Sequence, residues 1–331
     1  MSSTNKGPLP HIVLLSCGGT IAALPSHGVD YKAGLLPPDR LLDAVPDIGS
    51  SVHVTVERHA DVGSQDVDLE IWNSLAARVR RLNADPSVDG IVVTHGTDTL
   101  EETAFFLHLV TQLDKPVVLT GAMRPAHALS ADGPANLQAA ICLAKSPSAK
   151  AIGVAVVMND VVYDAVELQK ISANALEAFS SRNHGPLARM LGGNIAFNYT
   201  PSIADRWKGS FADLTLDAWP KVPILYIHAG MDTDWVDALL ATDPDGIVVA
   251  GVGSGNAPSA VWRRLEAAAA RGLLVVRSSR CATGFVDGGV EVDDEAYGFF
   301  AAGGLSPQKA RILLMCALRR DNSPESLRAL F

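Results

Sequence analysis

Two kinds of hydrophobic patterning alternate along the chain. In the first kind, apolar residues follow one another without a break, as in His11-Ile12-Val13-Leu14-Leu15, and such runs recur over 11–16, 90–94, 116–120 and 152–158. They read as strands buried on both faces of a sheet. In the second kind, apolar positions return every three or four residues: Trp72, Leu75, Val79 and Leu82 do so, while Arg78, Arg80 and Arg81 fall elsewhere. That spacing predicts an amphipathic helix facing the core. Asp132-Gly133-Pro134 opens another helix through Ala135 to Ala144, with proline tolerated in a first turn. Strands alternating with helices predict an α/β domain with a mainly parallel sheet.

Between Asn198 and Val222 the periodicity weakens, and Pro201, Trp207, Gly209, Trp219 and Pro220 interrupt it. Beyond this stretch Ile224-Leu225-Tyr226-Ile227, Gly246 to Ala250 and Leu273 to Val276 again read as buried strands separated by helices. The expected architecture is therefore two α/β domains. A larger N-terminal domain occupies 1–205, a linker 206–222, and a smaller C-terminal domain 223–331.

Composition narrows the function classes. A chain of 331 residues, 48% apolar, is long enough for two ordinary cores, and this excludes a binding peptide or a disordered tail. No apolar stretch approaches the roughly 20 residues of a membrane span. The net charge is −9, and the basic cluster Arg78 to Arg81 lies on a predicted helix, so nucleic acid is not an expected partner. Met1 to Pro10 shows no charged region leading into an apolar one. The expected location is the cytoplasm, or the periplasm if a signal has been removed. Cysteines 17, 142, 281 and 316 form no C-x-x-C pair, which fits reduced thiols.

The nine histidines show no H-x-x-x-H spacing, so neither a metal nor a cofactor is expected. Gly251-x-Gly253-x-Gly255 follows a predicted strand but is not G-x-G-x-x-G, and Arg277 and Ser278 stand where a ribose-binding acid would end the next strand. A non-catalytic α/β protein binding an amino acid or a nucleotide remains the alternative from a different class.

Two segments carry the chemistry. Ser16-Cys17-Gly18-Gly19-Thr20-Ile21-Ala22 and Thr94-His95-Gly96-Thr97-Asp98-Thr99 each place a threonine beside glycine just after a predicted strand. Ligands collect at the carboxyl ends of parallel strands, and glycine lets the backbone come close to them. Further along are Gly63-Ser64-Gln65-Asp66, Glu101-Glu102-Thr103, Gly121-Ala122-Met123-Arg124-Pro125, Ser130 to Pro134 and Val157 to Asp160. Gly251 to Asn256, Arg277 to Arg280 and Pro307 to Arg311 complete an ordered set. This set resembles the bacterial L-asparaginase and glutaminase-asparaginase family.

The resemblance implies hydrolysis of L-asparagine, with L-glutamine as the alternative amide, through a threonine acyl-enzyme and without a cofactor. It casts Thr20 as the nucleophile, Tyr31 as the tyrosine of a mobile lid, and Thr97, Asp98 and Lys170 as a proton relay. Ser64 and the backbone near Asp98 would bind the α-carboxylate of the substrate, and Gln65 and Asp98 its α-ammonium. Asn256 and Glu291 would reach the site of a neighbouring subunit in a homotetramer built from intimate dimers. Three features depart from the family pattern: Cys17 replaces a common threonine, Ala23 replaces a common glycine, and the loop from Thr20 to Tyr31 is about two residues shorter. Some secreted members carry a disulfide in the first domain; Asp85-Pro86 and Leu113 occupy roughly those places here.

Overall fold

Runs of Val, Ile and Leu without polar interruption become the central strands. Ile91, Val92 and Val93 have no exposed surface. Burying each such side chain favours folding by about 1.5–3 kcal/mol. The computed structural model describes residues 8–22, 24–25, 31–32, 40, 42–43, 45, 48–199, 206–321 and 323–331. They divide into two compact units, 1–210 and 211–331.

The strands of the first unit are β1 (His11–Gly18), β2 (Leu24–Pro25), β3 (Tyr31–Lys32), β4 (His53–Val62), β5 (Gly90–Thr94) and β6 (Val117–Thr120), followed by β7 (Val154–Met158), β8 (Val161–Asp164), β9 (Leu168–Lys170), β10 (Phe179–Ser181), β11 (Ala188–Leu191) and β12 (Asn194–Phe197). Its helices are α1 (Leu69–Ala84), α2 (Leu100–Val110) and α3 (Gly133–Ala144). One eight-stranded sheet runs in the order β12-β11-β8-β7-β6-β5-β1-β4. From β4 to β7 neighbouring strands are parallel, and β8, β11 and β12 extend the sheet antiparallel. β9 and β10 form a separate antiparallel hairpin. Ile12, Leu14, Val92 and Val118 on one sheet face pack with Leu137, Ala140 and Ile141 of α3. α1 and α2 pack on each other and on β5, β6 and β7.

β4 escapes the apolar-run criterion. Its sequence, HVTVERHADV, alternates polar and apolar residues and is only partly buried, as suits an edge strand. The expected linker 206–222 is divided between the units. Trp207 is buried, and its ring meets Phe105 edge-on at 6.1 Å. His108 Nε2 donates to the carbonyl of Arg206 at 2.8 Å, and Gly209 N–H donates to that of His108 at 2.9 Å. One buried aromatic ring therefore fixes a segment whose periodicity is weak.

In the second unit, β13 (Ile224–Tyr226), β14 (Gly246–Gly251), β15 (Leu274–Ser279) and β16 (Phe299–Ala301) alternate with helices α4 (Asp234–Leu240), α5 (Ser259–Ala269) and α6 (Asp294–Tyr297). α7 (Pro307–Arg320) and α8 (Pro324–Leu330) follow. The four strands pair in chain order and all are parallel. Arg277, on β15, is fully buried. Its guanidinium donates to both carboxylate oxygens of Asp294 at 2.5 and 2.6 Å, and to the carbonyls of Ser254 at 3.2 Å and Asp287 at 3.3 Å. Arg277, which the strand carries two residues before its end at Ser279, thus braces two loops and engages the Asp294 carboxylate.

Removing one partner of a buried pair strands the other charge. Asp294→Ala is expected to destabilise the chain by about 3–5 kcal/mol, measured as a lowered urea midpoint. A midpoint equal to that of the parent would show that the guanidinium finds other acceptors.

Candidate active site

β5, β1 and β4 are adjacent, so the loops at their carboxyl ends meet. The contact is made by backbone. Gly19 has φ +79°, and a Cβ added there would stand 2.4 Å from the Gly96 nitrogen. A Cβ on Gly96 would in turn meet Ser64 Oγ at 2.7 Å. Any side chain at either position would push the three loops apart. Gly19 N–H donates to the Val62 carbonyl at 3.1 Å, Asp98 N–H to Ser64 Oγ at 3.1 Å, and Thr99 Oγ1 to the Ser64 carbonyl at 2.7 Å.

These loops enclose a cavity of about 690 Å³ whose lining includes Thr20, Ser64, Gln65, Thr97, Asp98 and Lys170. Its size suits a small polar metabolite. Lys170 arrives from the β9–β10 hairpin, far along the chain. Its Nζ donates to Thr97 Oγ1 at 2.9 Å and to Asp98 Oδ1 at 2.6 Å. Only 14% of the lysine side chain is exposed, against 63% for Asp98. The ammonium is thus shielded while the carboxylate keeps an open side for a ligand. Cys17 is no rival nucleophile, because burial foremost, with Asp61 nearby, pushes its thiol up to about 12.

Six of the nine residues singled out in the sequence line one cavity. Tyr31 lies on β3, and its side chain is outside the described residues. Asn256 and Glu291 belong to the second unit, where Asn256 Nδ2 donates to Glu291 Oε2. Asp132, read in the sequence only as a helix opener and motif member, and Asn136, not singled out there, hold the cavity wall. The Asp132 carboxylate accepts from Met123 N–H at 2.9 Å and Arg124 N–H at 2.8 Å. Asn136 Nδ2 donates to the Gly121 carbonyl at 3.1 Å, and its Oδ1 accepts from Asn159 N–H at 2.9 Å. Their signal was available, since both sit at the start of a predicted helix. Among the described residues, no group of three or more His, Cys, Asp or Glu is arranged to hold a metal ion. No described helix is long and apolar enough to cross a membrane.

Residues 11–203 match the family description "Asparaginase, N-terminal", and residues 221–331 match "Glutaminase/Asparaginase C-terminal domain". A probable periplasmic L-asparaginase of Haemophilus influenzae is 42% identical over 100% of this chain and 95% of its own length. L-asparaginase 2 of Escherichia coli is 41% identical over 98% of this chain and 93% of its own. A glutaminase-asparaginase of Acinetobacter glutaminasificans is 38% identical over 97% and 98% respectively.

Beneath the second threonine turn lies a buried polar chain. Trp72 Nε1 donates to Thr103 Oγ1 at 2.9 Å, Thr103 Oγ1 lies 3.0 Å from His95 Nε2, and His95 Nδ1 donates to the Gly96 carbonyl at 2.7 Å. With Nδ1 the donor, neutral His95 accepts the Thr103 proton at Nε2. Burial pushes the imidazole down from about 6.5 to about 4. Since the unfolded chain takes up this proton first, the contribution of His95 to stability is complete above about pH 6.5 and is lost as pH falls towards 4. Within that window stability is expected to change by about 1.4 kcal/mol per pH unit for this one proton. Urea unfolding at several pH values should show that slope reduced in His95→Asn; an unchanged slope would contradict the assignment.

Proposed function

The chain belongs to the asparaginase family, and from that premise we propose that it is an L-asparaginase, hydrolysing L-asparagine to L-aspartate and ammonia through an ester on Thr20. The observation that carries this reading is the Lys170 amine held between Thr97 Oγ1 and Asp98 Oδ1 in the cavity that also takes in Thr20. Amide hydrolysis needs a nucleophile, a base, donors for the oxyanion and an acid for ammonia.

In the proposed first half, Thr20 Oγ bonds to the side-chain amide carbon of the substrate. The hydroxyl proton passes to the departing nitrogen, the C–N bond breaks, and ammonia leaves. In the second half, water adds to the ester carbonyl while its proton passes by way of the Thr97 hydroxyl to the Lys170–Asp98 pair. Collapse breaks the bond to Thr20 and returns a proton to its oxygen. The backbone N–H of Thr97 and those of the neighbouring glycines serve as oxyanion donors. Ser64 and the N–H groups near Asp98 hold the α-carboxylate, Gln65 and Asp98 hold the α-ammonium, and Tyr31 closes over Thr20. An ammonium needs oxygen acceptors and a carboxylate needs donors, and this set contains both.

The proposal extends to assembly. Partly buried Asn256 and exposed Glu291, bonded to each other on the second unit, are assigned to the site of a neighbouring subunit in a homotetramer of intimate dimers. L-Asparagine is the preferred substrate and L-glutamine a slower one, because one methylene supports only about 1–3 kcal/mol of discrimination. The four unpaired cysteines support a reducing compartment, the cytoplasm.

Thr20→Ala is expected to lower kcat by about 10,000-fold or more. Lys170→Met is expected to lower kcat by about 100-fold or more while KM stays within about threefold. Ammonia release on asparagine and glutamine measures both, and parental turnover in either variant would remove that residue from the mechanism. A mixed assembly tests the shared site. Thr20→Ala and Glu291→Ala chains, each inactive alone, should recover part of the parental activity when coexpressed; no recovery would place Glu291 outside a partner's site.

A further inference from the structure

Lys170 is fixed by more than its ammonium. In the β9–β10 hairpin it stands opposite Phe179, and the next residue, Ile171, donates its N–H across to the Ala178 carbonyl at 2.7 Å. Antiparallel neighbours alternate in the direction of their N–H groups, so that of Lys170 points away from β10. There it donates to Glu101 Oε2. Glu101 is 4% exposed and lies in the first turn of α2, where the helix dipole favours a carboxylate. The same helix begins at Leu100, with only Thr99 separating it from Thr97 and Asp98, the two groups that Lys170 Nζ contacts. One short stretch of chain therefore grips the lysine at both ends, at its backbone through Glu101 and at its amine through Thr97 and Asp98.

We propose that Glu101 is a positioning residue for catalysis, whose carboxylate oxygen sets the backbone of Lys170 so that Nζ reaches Thr97. The proposal rests on the reading of Lys170 as a member of the proton relay with Thr97 and Asp98. The hairpin lies outside the eight-stranded sheet, so the ladder of the main sheet does not itself set the position of Lys170. A displacement of the amine by about 1 Å is enough to cost about 100-fold in rate.

The test compares Glu101→Ala and Glu101→Gln with the parent, alone and combined with Lys170→Met, by steady-state ammonia release and by hydrogen exchange of the peptide spanning 168–171. Glu101→Ala is expected to lower kcat by about 100-fold with KM within about threefold, and to speed exchange in that peptide. Glu101→Gln keeps an acceptor oxygen and should recover most of kcat and of the protection. In the Lys170→Met background, Glu101→Ala should add little further loss. The positioning role is overturned if Glu101→Ala keeps parental kcat while Lys170→Met does not, if Gln fails as badly as Ala, or if the two losses multiply. Parental kcat in Lys170→Met would instead refute the relay itself. Should Glu101→Ala fail to fold, Glu101→Asp, one methylene too short to reach, takes its place with the same expected pattern.

Discussion

The contact on which the candidate site depends is one between backbones. Gly19 lies against Gly96, and Gly96 against Ser64, at separations that leave no room for a Cβ. Such closeness is possible because β5, β1 and β4 are parallel neighbours whose ends fall level: Ser16 pairs with Thr94 on one side and Gly18 with Val62 on the other. The register slips between Ser16 and Gly18, where the segment of β4 from Arg58 to Val62 stands against a shorter one of β1, so that β4 bulges and Val62 still meets Gly18. Strand pairing thus delivers Thr20, Ser64 and Thr97 to one cavity without any of them having to reach for it.

Charge is arranged around that frame with different degrees of exposure. The Lys170 amine is shielded and doubly hydrogen-bonded, the Asp98 carboxylate is open, and His95 below the turn is kept neutral by burial. A neutral imidazole suits its place, because His95 serves as a link between Thr103 and the Gly96 carbonyl. A cation there would sit in a site with no carboxylate among those partners. The second unit solves a similar problem with an ion pair, in which Arg277 and Asp294 brace the loops bearing Asn256 and Glu291. His95 in the first unit and Arg277 in the second are thus committed to holding loops rather than to the proposed chemistry.

Much of this was legible in the sequence, and the boundary of legibility follows from distance along the chain. Strands buried on both faces appear as unbroken apolar runs, and α1 shows its buried stripe at Trp72, Leu75, Val79 and Leu82. β4 was hidden because an edge strand needs only alternate burial, and Trp207 because one ring carries no period. Glu101 was visible as part of a motif, yet its bond to the backbone of a residue 69 positions away was not.

The sequence by itself determined the α/β class, the two-domain plan, the family and six residues of one cavity, because periodicity and local motifs are properties of neighbouring residues. Only the tertiary structure decided which polar groups hold which loops in each unit. Lys170 meets Thr97 and Asp98, Asp132 holds the loop at Met123, and Arg277 braces two loops through bonds spanning 72 to 73, 9 and 10 to 23 positions respectively. Pairings of that kind depend on how strands and helices are placed in space, and residue type and spacing alone do not encode them.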